Sequence, residues 1–245
     1  MRNKIFVPIF TIAFAIITPS CKKENIFDCF KSTGDVVNER RSIESFTDVV
    51  VNDDLNVIFV QDSAFYIEVN AGENLIPLII TEIRDGKLLV ENNNTCNWVR
   101  DYSIPINVYV HASTLRRIDF YGTGKISSQN TLTPDTIEVN NRNTGDIELN
   151  VSAIEVYCKQ HVTPGDNTFT GNADYLYLYN ASDGFAYCSG LAVNKATVIN
   201  KGTGYSFVNA CDKLDAEITS SGNIYYTANP VIQSTITGSG QLIHQ

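Results

Sequence analysis

The chain lacks any Cys-x-x-Cys pair, and its three histidines, His111, His161 and His244, lie far apart. A structural zinc site gathers four nitrogen or sulfur ligands, so no metal or other cofactor is expected. Basic residues are outnumbered: 18 Lys and Arg stand against 27 Asp and Glu, a net charge of −9 over 245 residues. That field repels phosphates and argues against a nucleic-acid partner. No segment carries a convincing apolar run of period 3.6, so an α-helical architecture is not expected. The longest apolar run is Ile5 to Ile17. At about 1.5 Å per residue it reaches roughly 20 Å, short of the ~30 Å hydrocarbon core of a bilayer.

That run follows Arg2 and Lys4 and precedes Thr18-Pro19-Ser20-Cys21. A basic start, a short apolar stretch and small residues read as a signal peptide over residues 1–20. A cysteine directly after small residues resembles a bacterial lipobox. The resemblance implies cleavage before Cys21 and acylation of that cysteine, with each buried methylene adding about 0.8 kcal/mol to anchoring. Losing Arg2 and Lys4 with the leader takes the net charge from −9 to −11. Residues 21–42 are rich in Lys, Glu, Asn, Ser and Gly with little periodicity, and read as a tether.

What the chain does have is a rhythm of glycines. Gly124, Gly145, Gly165, Gly184, Gly204, Gly222 and Gly240 follow one another at a nearly constant interval. Three of them close Gly-x-Gly triplets, at Gly122-Thr123-Gly124, Gly202-Thr203-Gly204 and Gly238-Ser239-Gly240. Between them run short alternating segments such as Ile154-Glu155-Val156-Tyr157-Cys158 and Tyr175-Leu176-Tyr177-Leu178-Tyr179. A period of about 20 with strand alternation predicts a β-solenoid, with seven coils stacking to roughly 30 Å at ~4.8 Å each. The glycines are expected to supply positive φ at the turns. Alternation places Ile154, Val156, Leu176, Leu178, Leu214, Ala216, Ile218, Ile232 and Ile236 inward. Residues 43–112 are also β-rich, with an Asp85-Gly86 hairpin signal. They read as irregular first coils or a small sheet continuous with the coils of 113–245, one domain over 43–245.

Five cysteines remain beyond Cys21. The separation of Cys188 and Cys211 is close to one coil, and neighbouring coils lie within bridging distance. Cys29 and Cys96 are then left to tie the N-terminal segment to the first half, with Cys158 as a buried free thiol. Five cysteines allow other pairings.

Gly-x-Gly between two strands lacks the helix that a phosphate loop needs. A glycosidase on such a scaffold needs two facing carboxylates. Asn143-Thr144-Gly145-Asp146 and Asp53-Asp54 do not supply them in a familiar context, and Asp119 beside Arg116 and Arg117 reads as surface ion pairing. No catalytic residue is therefore assigned. Tyr175, Tyr177 and Tyr179 share one face of a strand, with Tyr157 expected one coil earlier. Flat rings with polar tips suit sugar stacking or a protein interface, and equally a ladder that only stabilises the sheet.

Several stretches together resemble the putative auto-transporter adhesin, head GIN domain family. They are the leader, Cys29-Phe30-Lys31-Ser32-Thr33-Gly34, Gln61-Asp62, Ala71-Gly72-Glu73-Asn74-Leu75-Ile76-Pro77, Asp85-Gly86-Lys87-Leu88, Cys96-Asn97-Trp98-Val99-Arg100, Pro105-Ile106-Asn107-Val108 and the Gly-x-Gly coils. The resemblance covers about residues 43–242. It implies an all-β, right-handed parallel β-helix, frequent among Bacteroidetes lipoproteins and without established catalytic residues. The expectation is a non-catalytic adhesion module, exported and lipid-anchored to the bacterial outer membrane. Its partner is a glycan or an envelope protein, met through Tyr157, Tyr175, Tyr177 and Tyr179. A homo-oligomer is a further expectation, and the alternatives are a carbohydrate-active enzyme on the same scaffold or a purely structural envelope protein.

Overall fold

The computed structural model describes residues 32–94, 104–161 and 164–245. Among them, seventeen strands join into one sheet wound as a β-solenoid of about 6 turns, with no α-helix. The regular coils begin at β8 (Arg117–Phe120) and β9 (Lys125–Ser128) and continue with β10 (Thr136–Asn141). Four long strands follow: β11 (Asp146–Gln160), β12 (Asn167–Asn180), β13 (Ala186–Asn200) and β14 (Ser206–Ile218). Each runs along a back face, bends, and crosses to a front face, pairing in parallel with the strand one coil on. The last coil is built from β15 (Ile224–Thr227), β16 (Val231–Ile236) and β17 (Leu242–His244).

Alternation fills the space between the faces with Ile147, Leu149, Val156, Leu176, Leu178, Val198 and their neighbours, nearly all fully buried. Three residues expected in this core are not buried. Ile154 is 53% exposed because it sits at the bend, where inward parity shifts from odd to even positions. Ile232 and Ile236, 40% and 45% exposed, lie in β16, which pairs with β14 on one side only, so nothing stacks over them.

The glycine rhythm has a different cause from the one expected. None of the seven repeat glycines has positive φ; among the described glycines only Gly34, Gly86 and Gly171 do. Instead, a Cβ on Gly204 would stand 1.9 Å from the carbonyl oxygen of Gly184, one coil earlier. Gly165, Gly184, Gly222 and Gly240 meet the preceding repeat glycine's oxygen in the same way. The turns stack backbone on backbone, and only a residue without a side chain fits. A buried amide holds each central turn: Asn141, Asn180 and Asn200 donate Nδ2 to the carbonyls of Gly145, Gly184 and Gly204 at 2.8, 3.1 and 2.9 Å. At the longer turn to Gly165 the buried amide is Gln160, whose extra methylene lets Nε2 reach that carbonyl. Phe120 and Ile218 take this position at the flanking coils, where apolar packing replaces the amide.

Toward the N-terminus, β2 (Asp48–Val51) and β3 (Asn56–Gln61) stack in parallel on β8 and β9. β6 (Lys87–Asn92) continues the front face beyond β2, and β7 (Asn107–Ala112) the back face beyond β3. The edges are then closed by antiparallel pairs: β5 (Ile79–Arg84) on β6, β4 (Tyr66–Gly72) on β7, and β1 (Val36–Ser42) on β4. Asp85 and Gly86, at φ 52° and 75°, make the tight β5–β6 turn, as a two-residue hairpin loop requires. β1 lies inside the segment expected to be a tether. Its residues are a strand because the open edge of β4 offers them a backbone ladder.

Candidate functional site

Outward positions on the front face form columns that run along the solenoid. One column reads Asp48, Arg117, Glu138, Tyr157, Tyr177, Thr197, Asp215 and Gln233. Tyr175 and Tyr179 stand on either side of Tyr177 along β12, while Leu176 and Leu178 point into the core with no exposure. Tyr157 and Tyr177 are register partners with ring centroids 5.9 Å apart, and Tyr157 meets Tyr175 edge-on at 6.2 Å. The structure thus brings three of the four predicted tyrosines together. The fourth, Tyr179, meets the His161 ring at 6.1 Å instead.

These rings are half-buried and tilted against one another rather than stacked flat. The Tyr157 hydroxyl donates to Glu155 at 3.2 Å, and the Tyr175 hydroxyl bonds Thr197 Oγ1 at 3.0 Å. Burial, and then the Glu155 carboxylate, push the Tyr157 hydroxyl above its ordinary value; burial does the same for Tyr177. Both therefore remain neutral hydroxyls at physiological pH.

Shallow depressions flank the cluster. One, of about 350 Å³, is lined by Asp48, Arg116, Arg117, Thr136, Glu138, Tyr157 and Lys159. A second, of about 500 Å³, lies at the bend beside Tyr175, among Glu155, Asp174, Asn194, Lys195 and Asp212. In the first, the carboxylates are spoken for. Asp48 pairs with Arg116 at 3.1 Å, and Glu138 with Lys159 at 2.8 Å and Arg117 at 3.7 Å. Burial raises the Glu138 carboxyl, but hydrogen bonds from Lys159 and Asn140 outweigh it and hold the group below its ordinary value. A general acid needs the opposite shift. In the second, Asp174 accepts from Asn194 at 3.1 Å and Glu155 from Tyr157. Asp119 pairs with Arg117 at 2.9 Å as expected, although it is buried beneath that side chain rather than exposed. No group of three metal-ligating side chains occurs among the described residues.

A second aromatic strip is absent from the sequence-based expectations. On the back face Tyr187, Phe207 and Tyr225 stack ring on ring at 5.2 and 4.9 Å, within 12° of parallel. Phe185 and Tyr205 pack beside them at 5.3 Å. Their spacings match the glycine rhythm and could have revealed them. Here the facing rings cover one another, with Tyr187 at the end of the stack still 37% exposed, and the stacking braces the sheet.

The predicted Cys188–Cys211 bridge does not occur. Cys188 is buried and Cys211 exposed, and both are free thiols, as is the buried Cys158. Alternation turns Cys188 inward and pairs it with Val208, whereas Cys211 falls at the bend, in the register slip between Val193 and Lys195. Cys21, Cys29, Cys96 and the leader lie outside the described residues.

Fold and surface together define a class: a parallel β-solenoid whose amide-pinned turns leave its flat outer faces for contact. The family model described as "Putative auto-transporter adhesin, head GIN domain" matches residues 45–230, and the chain belongs to that family. Among solved structures, a putative adhesin from Bacteroides fragilis NCTC 9343 superposes with a TM-score of 0.79 at 18% identity, covering 88% of this chain and 100% of that one. A putative lipid binding protein from Parabacteroides distasonis ATCC 8503 gives 0.69 at 20% identity, covering 88% and 99%. A putative adhesin from the same Parabacteroides strain gives 0.64 at 22% identity, covering 88% and 100%. At these identities the likeness is one of fold. A search of the curated proteins finds no match.

Proposed function

We propose that the protein is a non-catalytic binding module of the cell envelope that holds a carbohydrate on its front face. The observation that carries this reading is the cluster of Tyr157, Tyr175 and Tyr177, half-buried, neutral and set between two polar depressions. Tilted rings leave part of each face open to the apolar side of a sugar, and the hydroxyls and flanking charges serve its polar edge. Tyr179 extends the patch toward His161. A protein partner, including a second copy of the chain, uses the same surface in the closest competing reading. An acylated Cys21 would place the module on the outer membrane, with exposure testable by protease shaving of intact cells. The two depressions beside the cluster are open and carry charged side chains, which suits a polar ligand better than the lipid suggested by one neighbour's name.

A glycan array with the wild type and the Tyr175→Ala/Tyr177→Ala double variant tests the assignment. Selective binding lost in a variant with unchanged circular dichroism is the expected result. Binding that survives both changes removes the front face from consideration. The enzyme alternative places its carboxylates in the depression of Glu155, Asp174 and Asp212. Release of reducing ends or unsaturated products from a polysaccharide panel would favour it.

A further inference from the structure

We propose, building on the carbohydrate reading above, that the front face also carries a cationic strip headed by Arg142, which seats an anionic group, carboxylate or sulfate, of the bound glycan. The strip starts where each turn does. Directly after the buried residues Phe120, Asn141, Gln160, Asn180 and Asn200 come Tyr121, Arg142, His161, Ala181 and Lys201, none of them buried. Backbone bonds set these one above another. The N–H of Arg142 donates to the Phe120 carbonyl at 2.8 Å, His161 to Asn141 at 3.0 Å, Ala181 to Gln160 at 3.0 Å and Lys201 to Asn180 at 2.7 Å. The side chains therefore form one column with a spacing of about 4.8 Å per coil. Arg142 lies 5.8 Å over the Tyr121 ring, and His161 meets Tyr179 at 6.1 Å, which joins the column to the tyrosines of β12. Ala181 offers only a methyl group, so the column is low between His161 and Lys201.

This column holds no carboxylate, in a chain whose net charge is −9. Toward the middle of the face, Asp119, Glu138 and Glu217 already meet Arg117, Lys159 and Lys201 at 2.9, 2.8 and 3.8 Å. Arg142 differs from the other arginines. Among the described residues, Arg41, Arg84, Arg116 and Arg117 each pair with a carboxylate, and Arg40 lies 3.7 Å over the Tyr66 ring. Arg142 has no ion pair among them, and its Nε is buried without a hydrogen-bond partner, as is Nε2 of His161 on the next coil. Two unmet polar atoms on adjacent coils call for a partner that the chain does not supply. A guanidinium takes a carboxylate or sulfate through parallel N–H bonds, more firmly than it takes a neutral hydroxyl. Tyr177 and Arg142 are two coils and four strand positions apart, roughly 15 Å, a span for an extended oligosaccharide rather than a single sugar. Salt screens charges beyond about 8 Å at physiological ionic strength, so the strip rather than the overall negative charge acts on a group in contact.

The full chain is titrated with oligogalacturonate and its methyl ester, with a carrageenan oligosaccharide and its desulfated counterpart, and with polyglutamate as an anion that is not a sugar. The expected result is binding of at least one acidic oligosaccharide roughly tenfold or more tighter than its neutral counterpart. Which pair shows the difference tells carboxylate from sulfate. Added sodium chloride should weaken the acidic member and leave the neutral one unmoved. Arg142→Gln should abolish the preference without changing the thermal midpoint or the affinity for the neutral sugar, and Arg142→Lys should keep only part of it. Tyr175→Ala/Tyr177→Ala should instead weaken acidic and neutral sugars alike. Binding of neutral sugars as tight as of acidic ones, or a preference that survives Arg142→Gln, overturns the strip and leaves the tyrosine site standing. Polyglutamate bound as tightly as the sugars assigns the strip to an acidic protein and likewise overturns it. If no sugar of the panel or of the glycan array binds, the strip and the carbohydrate reading fall together. Where Arg142→Gln does not fold, the wild type's acidic-to-neutral ratio and its salt dependence decide.

Discussion

Gly204 shows what the repeat demands of a single residue. The atoms a Cβ would meet there are Gly184's carbonyl oxygen at 1.9 Å and carbon at 2.7 Å, both backbone, and neither can swing aside. Gly204→Ala must therefore pry two coils apart, at about 1–3 kcal/mol or more. At Gly86 nothing lies within 4 Å and only the left-handed φ of 75° is at stake. Gly86→Ala should cost less, on the order of 1 kcal/mol. Urea unfolding of the two variants orders these effects; equal stability of Gly204→Ala and wild type would refute the stacked-turn account. The position of each repeat glycine is legible in the sequence, because a steady period survives without coordinates. Its reason is not, since close approach to the previous coil leaves no local signature and positive φ is the commoner cause. Asn141, Asn180 and Asn200 escape notice for a related reason. A buried amide that pins a turn looks, in sequence, like any polar residue at the end of a strand.

At the scale of elements, alternation identifies the strands of the coils, and tertiary context decides the rest. β1 carries the polar sequence Val-Val-Asn-Glu-Arg-Arg-Ser, almost wholly exposed, which reads as a tether. It is held by contacts distant in sequence: Arg41 donates to the carbonyls of Ile79 and Ile76 at 2.6 and 3.1 Å and to Thr81 Oγ1 at 3.0 Å. Beside it, Arg40 lies 3.7 Å over the Tyr66 ring, which stacks on His111 at 3.9 Å. Asp62 accepts from His111 Nδ1 at 3.1 Å and from the Tyr66 hydroxyl at 3.3 Å, and Glu68 stands 3.9 Å from His111 Nε2. The His111 bond, then the backbone N–H of Ala64, hold the Asp62 carboxyl below its ordinary value of 3.8. A depressed folded value means that this contribution is fully present above the unfolded value and is lost as pH falls through the folded one. Thermal midpoints of the wild type and Asp62→Asn should differ at neutral pH and converge in acid, below 3.8. A gap that persists unchanged at pH ~2 would show that the carboxylate's charge is not what holds this corner.

Across the whole molecule, stability in a solenoid is close to a sum of coils and nearest-neighbour interfaces. The central coils have neighbours on both sides, and Val156, Cys158, Leu176, Leu178 and Val198 are fully buried. Every residue of β16 is exposed, and β17 pairs only with β15. The antiparallel edge at the other end carries Glu39, Arg40, Arg41, Glu82 and Arg84, charges that discourage further strand pairing. Opening should thus begin at β16 and β17 and travel inward, reaching the tyrosine cluster of β11 and β12 late. Amide hydrogen exchange reads this directly. Protection at Val156, Leu176 and Val198 should approach the global unfolding free energy, while Ile232 to Ile236 exchange orders of magnitude faster through local fraying. Equal protection in β12 and β16 would mean that the coils unfold as one cooperative block and that the ends are not weak. The gradient also bears on recognition. Tyr157, Tyr175 and Tyr177 stand on the part of the stack expected to open last, so the carbohydrate proposed above would meet rings already held in place, with little ordering entropy spent on binding.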